Sequence, residues 1–201
     1  MSTEQGLAAA QEEFLFENIA STDFLQFQFE ASKYRDSIQR AVQRTGKVCG
    51  VSCSLRTLSR SSDASSSIRV VWLKHDFRFL GGSLGCAEGE KLVLGFEYAL
   101  EHKLPVVVEC KSGGARMQEG TLSLMQLAKV SVAVAALRKA GLPYVALLVD
   151  PTYGGVSASY AMQADVRIGI EGARIGFAGP SVILDTMYAT DPCSACHCAS
   201  Y

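Results

Sequence analysis

Two glycine-centred runs hold the residue types that could do chemistry: Ser-Gly-Gly-Ala-Arg-Met-Gln-Glu-Gly over 112–120 and Asp-Pro-Thr-Tyr-Gly-Gly-Val-Ser-Ala-Ser over 150–159. Each follows an apolar run of strand type, 106–110 and 144–149, and each opens a stretch of helical character. A Gly-Gly turn between a strand end and a helix start leaves backbone N–H groups unpaired, with no side chain in front of them. The first-turn amides and the helix dipole favour negative charge there. Two such turns aimed at one oxygen make an oxyanion hole from backbone alone. The matching chemistry develops charge on a carbonyl oxygen, as when a proton leaves the carbon next to a thioester and an enolate forms. On the glycines by themselves, a pair of tight connections explains the pattern equally well.

The side chains nearby offer less. A nucleophile needs a base within reach, and His75, His102 and His197 all lie away from both turns in sequence. Ser112 and Ser157 therefore read as turn and helix-start residues. No G-x-x-x-x-G-K-[ST] or G-x-G-x-x-G run occurs at a strand–helix junction, which argues against nucleotide hydrolysis and dinucleotide chemistry. Glu119, three residues after Arg116, reads as its ion-pair partner or as a base. Arg116 sits at a helix start, where positive charge opposes the dipole, so it calls for a specific anionic partner, such as a phosphate of a bound cofactor.

Regular elements must hold these turns. A polar helix is expected over 33–45, stopped by Gly46, and strands over 49–58 and 68–74 flank a serine-rich polar loop at 59–67. A helix over 87–102 presents Leu92, Phe96, Ala99 and Leu100. The helix after the first turn, about 116–140, presents Leu124, Leu127, Ala128, Ser131 and Ala135, and Gly141-Leu142-Pro143 ends it. A short helix over 156–163 and strands over 166–170 and 174–177 follow. Strands alternating with helices imply an α/β fold with a largely parallel sheet.

The 201 residues suit one domain, and 48% hydrophobic content with a net charge of −1 gives no basic stripe for a nucleic-acid partner. The longest apolar run, 130–136, is far short of a membrane span. Residues 1–17 carry Glu4, Glu12 and Glu13 and no basic residue, unlike a secretory or transit segment, so a cytoplasmic location is the default, with an organelle left open. Of seven cysteines, Cys86 and Cys110 read as small core residues. The cluster Cys193-Ser194-Ala195-Cys196-His197-Cys198 contains the Cys-x-x-Cys-His pattern of haem attachment, and could complete a zinc site only if Cys49 and Cys53 approached it. An unstructured tail is the preferred reading there, and zinc is not expected.

The runs SGGARMQEGTLSLMQLAK (112–129), DPTYGGVSASYAM (150–162) and IGFAGP (175–180) resemble the carboxyltransferase β subunit of multi-subunit acetyl-CoA carboxylase. So do DFRFLGGSLG (76–85), Gly89-Glu90-Lys91 and Glu97-Tyr98-Ala99-Leu100, with 14–16 and 34–46 as the lead-in. The resemblance implies a crotonase/ClpP-like spiral of ββα units that moves a carboxyl group from N1-carboxybiotin, on a separate carrier protein, to acetyl-CoA, giving malonyl-CoA. Biotin's freed nitrogen then takes the α-proton, so no side-chain base is required. It also implies that amides around Gly114-Ala115 and Gly154-Gly155 hold the thioester oxygen. Gly81-Gly82-Ser83 would shape the neighbouring wall, and Gly113, Arg116 and Val156 complete the expected substrate contacts. A carboxyltransferase α subunit, the biotin carboxyl carrier protein and biotin carboxylase are the implied partners. The family's four-cysteine zinc ribbon has no counterpart, because residues 1–48 contain no cysteine. The match stops near Val182-Ile183, where the family's domain continues with further helices, so the C-terminal part of the spiral is expected to be truncated, a misread gene end being one reading of it. The expected division is a disordered 1–13, a carboxyltransferase domain over 14–187 and a divergent tail over 188–201. The alternatives are a malonate decarboxylase-type subunit and a non-catalytic remnant that binds acyl-CoA or a partner.

Overall fold

A computed structural model describes residues 12–60, 63–179 and 182–183. The Cys193–Cys198 cluster and the proposed tail lie outside the described residues. A short strand, β1 (Glu12–Leu15), precedes the small hairpin β2 (Gln28–Phe29) and β3 (Ser32–Lys33), the helix α1 (Tyr34–Thr45), and the long hairpin β4 (Val51–Arg60) and β5 (Asp63–His75). Then come α2 (Cys86–His102), β6 (Val106–Ser112), α3 (Thr121–Lys139), β7 (Tyr144–Thr152), the single turn α4 (Gly154–Val156) and β8 (Val166–Gly169).

One six-stranded sheet orders them β1-β4-β5-β6-β7-β8. Its first two pairings are antiparallel and the last three parallel. Parallel neighbours put successive strand ends at the same edge, and that edge carries both glycine turns. The α/β expectation holds, with the parallel half in the segment that alternates strand and helix.

Strand β6 is valine-rich and buried on both faces along most of its length, as a central parallel strand must be. Helix α2 lies close on the hairpin: a Cβ on Gly95 would fall 2.8 Å from Leu73 Cδ2. Leu92, Phe96 and Ala99 join Val71, Leu73, Val106, Val108, Tyr144 and Ala146 in one core.

Several local expectations change. The polar loop over 59–67 is largely ladder, since Ser59 pairs Ser67 and Arg60 pairs Asp63. Once two antiparallel strands are in register, backbone hydrogen bonds extend them whatever the side chains. Likewise, Glu12 and Glu13, placed in a disordered start, pair with Arg56 and Leu55, and Glu12 forms an ion pair with Arg56. The expected strand over 174–177 is a single bridge between Thr152 and Ile175. The helix expected from 156 to 163 is α4 followed by a π-turn, Ser157–Ala161.

Helix α3 buries Ser123, Gln126, Val130, Val134 and Leu137, while Leu124 from the expected face is 53% exposed. This helix is apolar on every side, so its sequence names no face. By length and composition it could cross a membrane; here one face packs on α2.

Candidate active site

The site grows from the two strand ends. At the end of β6, the Gly113 N–H donates to Gly81 O at 2.9 Å and the Gly114 N–H to Ser112 Oγ at 3.0 Å. Leu84 N–H donates to Gly114 O at 2.8 Å, and Arg116 N–H to Leu84 O at 2.9 Å. This short parallel bridge fastens the 81–84 wall to the first turn. At the end of β7, Tyr153 N–H donates to Ser112 O at 2.9 Å, and Gly154 N–H to Phe177 O at 2.8 Å. Ser157 Oγ donates toward Gly154 O and Gly176 O.

The turns touch each other. A Cβ on Gly154 would lie 2.9 Å from Gly114 Cα, and one on Gly114 would lie 3.3 Å from Gly154 Cα. Both glycines have positive φ, 115° at Gly114 and 61° at Gly154, so only glycine fits without strain or collision. In this contact region, the Ala115 and Gly155 N–H groups donate to no acceptor among the described residues. The hypothetical Cβ of Gly154 is 3.9 Å from Ala115 N, and that of Gly114 is 3.7 Å from Gly155 N. Two unspent amides therefore flank the same glycine contact, an amide cradle whose two glycines lie too close together for a Cβ at 154. They can stabilise one small anionic or polarised oxygen.

The side chains mostly work inward. Arg116 is buried, with Nη2 at 2.8 Å from Glu88 Oε1 and Nη1 at 3.2 Å from Glu119 Oε1. It also donates to Ser83 Oγ, Ser83 O, Ser21 Oγ and Tyr34 OH. Its anionic partners are thus two carboxylates of the chain, and the expected contact with substrate or a cofactor phosphate gives way to an interior ion-pair hub. A guanidinium whose donors are all taken has none left for a ligand.

Val156 is likewise fully buried in the core. Ser83 is tied to Arg116 and donates to Leu80 O. Of the other expected wall residues, Gly81 accepts from Gly113, and Gly82 packs so closely on β6 that a Cβ would meet Lys111 O at 2.2 Å. Glu119 takes the ion-pair role: its carboxylate also accepts from Tyr34 OH and from the Cys86 N–H, each at 2.6 Å.

Glu88 completes the hub, and nothing in the sequence marks it as a partner of residue 116. It accepts from Ser21 Oγ at 3.0 Å, Gly50 N–H at 2.8 Å and Gly85 N–H at 3.2 Å. Burial raises its pKa, yet the Arg116 guanidinium and the Gly50 amide outweigh burial and hold the carboxyl below the ordinary carboxylate range. Its place three residues after Gly85, at the start of α2, is the only local hint, since an acid there accepts the N-cap amide.

His75 lies behind the 81–83 wall. Nδ1 donates to Gly82 O at 3.2 Å, and Tyr160 OH donates to Nε2 at 2.8 Å. Because a carbonyl only accepts, the ring is the Nδ1–H tautomer. Burial pushes its pKa down to about 4. Neither Ser112 nor Ser157 has a histidine partner among the described residues, in keeping with turn and helix-start roles. No group of three or more His, Cys, Asp or Glu side chains gathers as a metal site among the described residues.

Residues 65–191 match the carboxyl transferase domain family. The acetyl-coenzyme A carboxylase carboxyl transferase subunit beta of Christiangramia forsetii is 46% identical over 172 residues, covering 86% of this chain and 58% of that protein. Among solved structures, transcarboxylase 12S with methylmalonyl-coenzyme A and methylmalonic acid bound superposes with a TM-score of 0.61 at 31% identity, over 71% of this chain and 26% of that one. A Pseudomonas malonate decarboxylase hetero-tetramer in complex with malonate gives a TM-score of 0.62 at 25% identity, over 89% of this chain and 60% of that one. The chain spans about half the length of the curated relatives it matches.

Proposed function

Because this chain belongs to the carboxyl transferase domain family, with the crotonase-like fold of its structural neighbours, we propose that it is the β-type half of a biotin-dependent carboxyltransferase. Its reaction is transfer of a carboxyl group to acetyl-CoA, giving malonyl-CoA. The observation that carries this reading is the meeting of two backbone turns with the Ala115 and Gly155 amides unspent. A thioester oxygen placed between them gains two donors just as enolate charge develops, and each such donor is worth about 3–4 kcal/mol in a dry, preorganised site.

The protein's residues bind and orient; they do not attack. Gly113, Gly114 and the 81–83 wall fix the first turn, and Thr152, Tyr153 and the Phe177 carbonyl fix the second. Carboxybiotin, presented by a separate carrier protein, supplies the carboxyl group when bound. No residue of this chain is assigned to hold it, which leaves that half of the site to an α-type partner. Acetyl-CoA is favoured as acceptor over a malonyl group on a carrier protein because identity to the acetyl-CoA carboxylase relative exceeds identity to the malonate decarboxylase.

The test is malonyl-CoA formation by the chain reconstituted with an α partner and a carboxylated biotin carrier. Gly155→Val drives its Cβ into the core-packed Leu127 side chain, 2.7 Å from Cδ2, so the start of α4 that carries the Gly155 amide must shift, and transfer should be lost while the thermal transition survives. If Gly155→Val transfers carboxyl groups at the wild-type rate, the amide cradle is not the site. A wild-type chain that binds partner and acyl-CoA without turnover would instead support the non-catalytic reading.

A further inference from the structure

A cavity of about 260 Å³ opens away from both glycine turns, between β1, the 46–49 loop, the start of β4 and helix α2. Phe14, Leu15, Val48 and Val51 give it apolar walls, Lys91 of α2 lines its interior, and Glu17, whose side chain is exposed to solvent, is the one carboxylate of the lining. Lys91 is only 5% exposed, and its ammonium donates to no acceptor among the described residues. The other cation of the lining, Lys47, is held by Asp76 at 3.0 Å.

The Lys91 nitrogen is not among the fully buried orphan atoms, so the ammonium faces the cavity, where a bound anion would supply the ion pair or hydrogen bonds that ordinarily offset desolvation. The neighbouring thiols do not supply that partner. Burial pushes Cys49 and Cys53 up to about 12, even against the positive charge of Lys91, so both stay neutral at physiological pH. With Glu17 turned to solvent, apolar walls around the unpaired Lys91 fit a ligand with a single negative charge and an apolar body. The volume lies below the usual range for cofactor-sized pockets, which sets aside a coenzyme A or a long acyl chain.

We propose that this cavity is a binding site for a short-chain carboxylate, whose carboxyl group meets the Lys91 ammonium and whose hydrocarbon lies against Leu15, Val48 and Val51. It is separate from the amide cradle and does not depend on the chain's transferring carboxyl groups. Behind the cavity, the Gly50 N–H that follows Cys49 donates to Glu88 of the Arg116 hub, one turn before Lys91 on α2, and Gly50 O accepts from the Asp76 N–H.

The test uses hexanoate as probe with the full chain, followed by amide chemical shifts in a titration, with 1-hexanol and inorganic phosphate as controls. Saturable shifts are expected at Val48, Cys49, Val51 and Ser52, with 1-hexanol and phosphate each at least about tenfold weaker. Lys91→Met should weaken hexanoate by about tenfold or more, and Lys91→Arg should retain it. Val48→Trp, at a position 38% exposed, should fill the mouth and abolish binding with the lysine intact, which keeps the test open if Lys91→Met does not fold. Unshifted amides around the cavity, equal hexanoate binding by Lys91→Met or Val48→Trp, or phosphate binding as tight as hexanoate would each overturn the proposal.

Discussion

Acid should loosen this protein through His75 in a pH window where little else changes. The ring is 1% exposed and neutral, with Nδ1–H on Gly82 O and Nε2 accepting from Tyr160 OH. Burial is the main reason its pKa falls from 6.5 to about 4; of the nearby charges, Glu88 raises it and Arg116 lowers it, so they oppose each other. In the unfolded chain the imidazole titrates near 6.5, so between those values the unfolded state binds the extra proton. Stability contributed by the neutral ring is therefore complete above about pH 6.5 and falls as pH drops toward about 4. Between pH 7 and pH 5 the loss should be about 2 kcal/mol, at about 1.4 kcal/mol per pKa unit. Asp76 is held low, chiefly by its hydrogen bond to Arg78, so its own contribution is lost only at more acid pH.

Urea unfolding at the two pH values measures the difference, with His75→Gln as the non-titrating reference. The variant is weaker at pH 7 but should lose much less on acidification. If wild type and variant fall equally, or if the folded-state imidazole titrates near 6.5 by NMR, the buried neutral histidine is refuted.

Removing Arg116 should be severe: Arg116→Met leaves Glu88 and Glu119 buried without their cation, costing about 3–5 kcal/mol in chemical denaturation. Glu88→Gln keeps the shape but loses the charge that Arg116 faces, and should cost less than Arg116→Met in the same assay. Gly154→Ala pushes a Cβ into Gly114 Cα and displaces the amide pair, so carboxyl transfer should fall by about a hundredfold or more while the far-ultraviolet spectrum is kept. On α3, Leu124→Gln should shift stability by less than about 0.5 kcal/mol, whereas Val130→Ala should cost about 1–3 kcal/mol; equal losses would mean the wrong face had been assigned.

Much of this protein is written locally in its sequence. Apolar runs of strand length, helices between them and Gly-Gly pairs at strand ends gave the parallel α/β layout and both turns, because strand period, helix stop and positive-φ glycine are properties of a few neighbouring residues. The long glycine-bearing runs gave the family by the same token. Tertiary structure alone decided which groups meet. Arg116 looked available for a ligand until Glu88, Ser21 and Tyr34, all distant in sequence, closed around it. The His75–Tyr160 bond spans 85 residues, and no spacing rule announces it. Helix α3 is apolar all round, so only packing against α2 chose its buried face. The serine-rich 59–67 segment became ladder because register, fixed by the hairpin as a whole, overrides local polarity. The amide cradle needed both kinds of information: the sequence placed glycines at two strand ends, and the shared edge of the sheet brought Gly114 against Gly154, where neither can carry a side chain.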